Sequence, residues 1–325
     1  MRSRKNKQTE TYHPPKWLRG GHAQTIFPFL SQIFGVRRYD RQTIDTPDGD
    51  IIHLDWLKKK PVSPLVVLLH GLEGSSNSHY ARALMANVER LGWNGCVVHF
   101  RGCSGSPNHL PRAYHSGDSD ELEWLIPKIK QLAEGPIFIA GFSLGGNVLL
   151  NWLGKAQYEE TRCITAAASI SAPYDLTTAG NRLSTGFNRV YGNHFLRTLK
   201  TKAIQKIQTH HLTLSVKTIR ECATLKDFDN NFTAPVHGFY NVDDYWSRAS
   251  SKPFLPNIDK PTLILHAKND PFLPGGELTE LIETNNKINL SLTATGGHVG
   301  YMRGPFPGNL AWLPNQITDY FKDFL

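Results

Sequence analysis

Nowhere in this chain do eighteen apolar residues follow one another, and only four of its 325 residues are cysteine. The first absence excludes a membrane-spanning helix, which needs about 20 such residues. The second excludes a disulfide-stapled scaffold. Cys96, Cys103, Cys163 and Cys222 are scattered without metal-ligand spacing, and Cys96 and Cys163 fall in strand-like runs. They read as buried free thiols of a reducing compartment, and the expected location is cytoplasmic. The opening stretch MRSRKNKQTETYHPPKW is basic but has no apolar core behind it, so it does not read as a secretory signal. No HExxH occurs, and the adjacent His210 and His211 cannot both ligate from one helix face, so neither metal nor cofactor is expected. Formal net charge is +8, but the basic residues are dispersed among RSRKNK, Arg37-Arg38 and the lysines at 58–60. Without clustering or a binding motif, this excludes nucleic acid as a partner and leaves a weak contact with an anionic surface.

What is present is alternation. Residues 1–36, polar and then rich in proline and aromatics, read as an arm packed on the core, and 37–325 as a single domain. QTIDTPDGDIIHLDWL predicts a hairpin around Pro47-Asp48-Gly49-Asp50. Short apolar strands follow at 64–70, 95–100, 136–140, 163–170, 261–267 and 288–294. Between them lie amphipathic helical stretches at 79–92 and 118–135, the latter disturbed by Pro127, and a helix closes the chain. Strands alternating with helices predict an α/β fold, a mostly parallel sheet flanked by helices. Residues 173–258 hold no strong strand and are too long for a plain connection, so they predict a helical cap insertion.

One strand breaks abruptly. In IFIAGFSLGGNVLL (137–150) an apolar run stops at Gly141, and a helical run begins after Ser143. Gly141 and Gly145 supply the lack of Cβ that so sharp a strand-to-helix turn requires. The turn lifts the Ser143 hydroxyl above the sheet edge and aims the Leu144 N–H at the same point. A serine nucleophile needs a base, an acid to orient it, and a second oxyanion donor. Asp270 stands at the end of strand 261–267, and His298 on a glycine-flanked loop after strand 288–294. The HG-x-x-G turn after strand 64–70 offers the Leu72 N–H, with Gly71 for close approach and His70 bracing the loop. Asp175 and the pair Asp243-Asp244 are the alternative acids. A pocket between sheet edge and cap is expected, lined by Leu72, Phe142, Leu144 and aromatics such as Phe187, Phe195, Phe239, Tyr240 and Trp246. It suits a small-molecule ester with an apolar acyl chain.

PPKWLRGGHAQTI (14–26), HGLEGSSNSHY (70–80), HFRGCSGSPN (99–108), GFSLGGN (141–147) and AKNDPFLP (267–274) together resemble the YheT-like hydrolases of the α/β-hydrolase superfamily. These are bacterial relatives of eukaryotic lipid hydrolases with the same fold. The resemblance implies a carboxylic ester hydrolase whose Ser–Asp–His relay falls on Ser143, Asp270 and His298. Asn269 departs from the pattern, since members often carry a second aspartate there. The same triad also serves acyl transfer and thioester cleavage, and a hydrolase fold kept only for binding would lack one of these groups.

Overall fold

The computed structural model describes residues 11–31, 37–57, 61–156, 158–283 and 285–325. The basic runs at 2–7 and 58–60, and the stretches 1–10 and 32–36 of the expected arm, lie outside them. Eight strands form one sheet: β1 (Asp40–Asp45), β2 (Ile51–Trp56), β3 (Leu65–Leu69), β4 (Asn94–His99), β5 (Ile137–Phe142), β6 (Ile164–Ile170), β7 (Thr262–Ala267) and β8 (Ile288–Thr293). Their spatial order is β1-β2-β4-β3-β5-β6-β7-β8. β1 and β2 make the antiparallel hairpin, β2 joins β4 antiparallel, and every later pair is parallel. Buried Arg101, just past β4, fastens the hairpin turn by reaching Asp48 (2.8 Å) and Asp50 (2.9 Å), and ties it to Glu121 (2.6 Å).

The central strands are buried on both faces, and strict alternation sorts their side chains. Val67, Leu69, Ile137 and Ile139 pack with α3 (Asp120–Gln131) and α4 (Leu144–Lys155). Val66, Leu68, Phe138 and Phe142 face the opposite layer, with α2 (His79–Arg90) and the final helix. Pro127 does not break α3, contrary to the sequence expectation. It stands on the exposed side of the helix, where water can satisfy the carbonyl that loses its intrahelical donor.

The N-terminal stretch contains a helix, α1 (Gly21–Ser31). A short α5 (Tyr158–Thr161) precedes β6. Between β6 and β7 the regular structure is helical: α6 (Leu176–Leu183), α7 (Arg189–Thr209), α8 (Val216–Glu221), α9 (Leu225–Phe228), α10 (Ala234–Val236) and α11 (Val242–Ala249). These helices carry an apolar core of their own, including Leu196, Ile207, Phe228 and Phe232. α12 (Leu278–Ile282) precedes β8, and α13 (Trp312–Lys322) ends the fold. Among the described residues no helix is long and apolar enough to cross a membrane.

Candidate active site

β5 ends one residue before Ser143, and α4 starts one residue after it. The turn holds Ser143 at φ 51°, ψ −120°, a region that residues with a Cβ avoid. It closes this tightly because two glycines bring backbones together. A Cβ on Gly141 would meet the Gly145 carbonyl at 2.5 Å, and one on Gly145 would meet the His70 and Leu69 carbonyls at 2.5 Å. Strain of about 1–3 kcal/mol at Ser143 is held in place by that packing and by its N–H donating to the Ile170 carbonyl at 2.8 Å.

The structure brings Ser143, His298 and Asp270 into one hydrogen-bonded line. Ser143 Oγ lies 2.8 Å from His298 Nε2, and His298 Nδ1 lies 2.9 Å from Asp270 Oδ2. The other Asp270 oxygen accepts the Phe272 N–H at 2.8 Å. Burial alone would raise the Asp270 pKa. The adjacent His298 ring, its hydrogen bond, His266 and the Phe272 N–H outweigh it and hold the carboxyl below its ordinary value. His266 does not compete for the carboxylate: its Nε2 donates to the Leu273 carbonyl at 2.6 Å, and burial pushes its pKa down. The alternative acids sit elsewhere. Asp175 caps α6 by accepting the Thr178 N–H and meets Lys252 at 3.3 Å. Asp243 pairs with Lys226, and Asp244 caps the Tyr240 N–H.

Beside the serine, the Gly71-Leu72 turn approaches so closely that a Cβ on Gly71 would meet Ser143 Cβ at 3.1 Å. Neither the Leu72 nor the Leu144 N–H has a protein acceptor among the described residues, and both leucines line the cavity with Ser143. Buried His70 braces the turn through both ring nitrogens. Nδ1 donates to the Gly71 carbonyl at 2.8 Å, and Nε2 accepts the Phe100 N–H at 3.1 Å. Burial lowers its pKa to about 3, so it stands neutral. Two residues absent from the sequence reading complete the support. Tyr80 OH accepts the Gly71 N–H at 2.8 Å, and Tyr114 OH accepts the Glu73 N–H at 2.8 Å.

The least anticipated contribution comes from α1. Thr25 Oγ1 accepts the His298 N–H at 2.8 Å and donates to the Gly21 carbonyl. Gln24 Oε1 accepts from the Gly296 N–H and from Asn269 Nδ2, each at 3.0 Å, while Asn269 Oδ1 takes the Gly297 N–H at 3.0 Å. The loops that carry Asp270 and His298 are thereby knotted to one helix. The block WLRGGHAQT was the signal in the sequence, but nothing local in it indicates which loop it would hold. His79 steadies the far side of the base loop by reaching the Val299 carbonyl at 3.2 Å. Burial keeps that histidine neutral, with a pKa near 4.

Above Ser143 lies a cavity of about 740 Å³, enclosed by the sheet edge and the helices of 176–249. That size accommodates a drug- or lipid-sized molecule. Leu72, Leu144, Phe195, Phe232, Trp246 and Phe272 form apolar wall, and Lys202, paired with Glu73 at 2.9 Å, forms part of the polar remainder. Four expected lining residues are not there. Phe142 points to the opposite face of the sheet because alternation along β5 sends it there, where it stacks on Tyr80 at 4.6 Å. Phe187 is exposed beside His22, Tyr240 is 92% exposed, and Phe239 packs on Tyr245 outside the cavity. Among the described residues no group of three or more His, Cys, Asp or Glu could hold a metal ion.

Known proteins share this arrangement at the level of family and fold. A family model described as alpha/beta hydrolase fold matches residues 64–305. The YheT protein of Escherichia coli (strain K12) is 34% identical over 320 residues, which cover 96% of this chain and 93% of that protein. Phospholipase ABHD3 of Homo sapiens is 30% identical over 97% of this chain and 79% of its own length. Among solved structures, the Pyrococcus furiosus esterase Pf2001 superposes with a TM-score of 0.56 at 18% identity, covering 97% of this chain and 98% of that one.

Proposed function

The chain belongs to the α/β-hydrolase family, and from that premise we propose that it is a serine esterase acting on carboxylic esters with an apolar acyl part. One observation carries the reading: Ser143 Oγ, His298 and Asp270 share a continuous hydrogen-bonded line beside two backbone N–H groups without protein acceptors. Ser143 Oγ attacks the ester carbonyl while His298 Nε2 takes its proton. The carbonyl oxygen becomes negative and is stabilised by the Leu72 and Leu144 N–H groups. Asp270 holds Nδ1 protonated, so that Nε2 is free to accept, and stabilises the imidazolium that forms. On collapse the alkoxide leaves with the proton from Nε2, and the acyl group stays on Ser143. Water, deprotonated by the same nitrogen, attacks the acyl carbonyl; the acid departs and Ser143 Oγ regains its proton. The acyl chain of such a substrate would run along Leu144, Phe195 and Trp246 in the cavity.

A fluorophosphonate probe tests this directly. Peptide mapping is expected to place the adduct on Ser143, and Ser143→Ala is expected to fold and to lose hydrolysis of p-nitrophenyl esters. An adduct at another residue, or a Ser143→Ala variant that still turns over ester, defeats the assignment.

A further inference from the structure

Among the described residues nine large apolar side chains are exposed, and five of them gather on one side of the molecule: Phe29 (52%), Leu30 (66%), Phe187 (54%), Val190 (53%) and Phe306 (71%). Ring contacts connect them. Phe29 meets His194 edge-on at 5.3 Å, Phe187 lies 4.6 Å from His22, and Phe306 packs on Trp17 at 5.4 Å and Phe27 at 6.2 Å. Val190 sits on α7 between Phe187 and His194, at spacings that share a helix face. None of the five lines the cavity over Ser143.

The charge around these side chains is one-sided. Residues 11–31, 176–220 and 285–318, the segments that contribute these side chains and their ring partners, contain no aspartate or glutamate, although the chain has 28. The segment 176–220 carries eight lysines and arginines, of which Lys202 and Lys206 turn into the cavity. Arg19, Arg189 and Arg197 are exposed here. A contiguous apolar surface in water marks a contact site. Its apolar groups are interspersed with exposed arginines and lie outside the cavity, so they do not form a pocket shaped to hold a peptide. A fluid surface bearing negative phosphates over hydrocarbon matches both properties.

We propose that this side of the molecule docks on an anionic lipid bilayer, with Phe29, Leu30, Phe187 and Val190 entering the interface while Arg189 and Arg197 meet lipid phosphates. The site lies close behind it. Tyr191, next to Val190, packs on Phe272 at 4.9 Å, and Phe272 stacks on the His298 ring at 4.0 Å. Docking therefore sets the His298 ring two aromatic rings, Tyr191 and Phe272, behind the lipid-facing Val190.

Sedimentation of the full chain with vesicles tests the proposal without any reading of catalysis. Vesicles of phosphatidylcholine with phosphatidylglycerol are expected to carry the protein down, pure phosphatidylcholine vesicles far less, and added salt is expected to release it. Arg189→Gln with Arg197→Gln is expected to lower partitioning roughly 25-fold, about fivefold for each charge near the surface. Phe29→Ser with Val190→Ser lowers it independently, whereas Val62→Ser, 75% exposed beside Gly135, leaves it unchanged. Turnover of a soluble short-chain ester is expected to stay at the parent level in all three variants. Equal partitioning on neutral and anionic vesicles, or parent-like partitioning of both paired variants, overturns the proposal.

Discussion

Asp270→Asn replaces one oxygen by an amide nitrogen, and the donors around the carboxylate decide which way that amide turns. Phe272 N–H points at one carboxylate oxygen (2.8 Å), so the amide oxygen is drawn to that side and the NH2 turns toward His298. His298 Nδ1 must then accept rather than donate, which puts the proton on Nε2, where Ser143 needs an acceptor. Turning the amide over restores the competent tautomer but sets NH2 against the Phe272 N–H. Leaving that donor unpaired costs about 1–3 kcal/mol, or roughly 5- to 150-fold in the competent population. The neutral amide also loses the charge-assisted bond to the imidazolium, about 1.5–3 kcal/mol, another 10- to 150-fold or so. Together these predict a fall in kcat/KM between about 50-fold and 20,000-fold, and a loss of about ten-thousandfold accompanies the same substitution in another triad. The assay is initial-rate hydrolysis of p-nitrophenyl butyrate, with the rate of fluorophosphonate labelling as a second readout of the serine–histidine pair. Asp175→Asn, which touches only the α6 cap and Lys252, is the control and is expected to stay near the parent. An Asp270→Asn enzyme within about tenfold of the parent, with Asp175→Asn inactive, would refute the reasoning. Stability tracks the depressed Asp270 pKa. Its contribution is present above the ordinary carboxylate value and is lost as pH falls through the folded one, so the two proteins converge in acid.

Thr25→Val removes the acceptor of the His298 N–H and is expected to lower kcat more than it changes KM, by about 1–3 kcal/mol shared between activity and stability, while Thr25→Ser restores both. Titrating esters of increasing acyl length separates the cavity wall from the outer surface: Phe195→Ala is expected to shift the preferred length by about fourfold in specificity per methylene gained, and Phe187→Ala to leave the profile unchanged. Burial raises the Asp229 pKa to about 6, above its unfolded value, so the parent loses stability as pH rises from about 4 to 6. Asp229→Asn is expected to flatten that decline in thermal midpoint and to gain about 1–2 kcal/mol at neutral pH, less than the full shift because the residue borders the cavity.

The sheet was readable from the sequence because short apolar runs between turn residues are local signals. The elbow was readable because its two glycines answer a local steric demand. The choice of Asp270 and His298 as partners of Ser143 rested on the chain order that a nucleophile elbow implies and on their places at strand ends. The knot around α1 was not readable: Gln24 and Thr25 are ordinary polar residues, and their partners lie 272 and 273 residues away. Lining residues were misassigned for a related reason. Phe142 and Phe187 are apolar in either environment, and only the pleat of β5 and the docking of α7 against α1 decide which surface each one meets.

The same long separation has a temporal side. The ribosome makes α1 before the loop it holds, and about 270 residues are added between the two. Until residues 296–298 emerge, Gln24 and Thr25 have no base loop to hold, and the serine on its strained turn has no base. A nucleophilic serine in a half-made protein is a hazard to whatever acyl groups surround it. Here the contacts that hold the His298 loop join residues 272 and 273 positions apart, so they form only once both segments have been made.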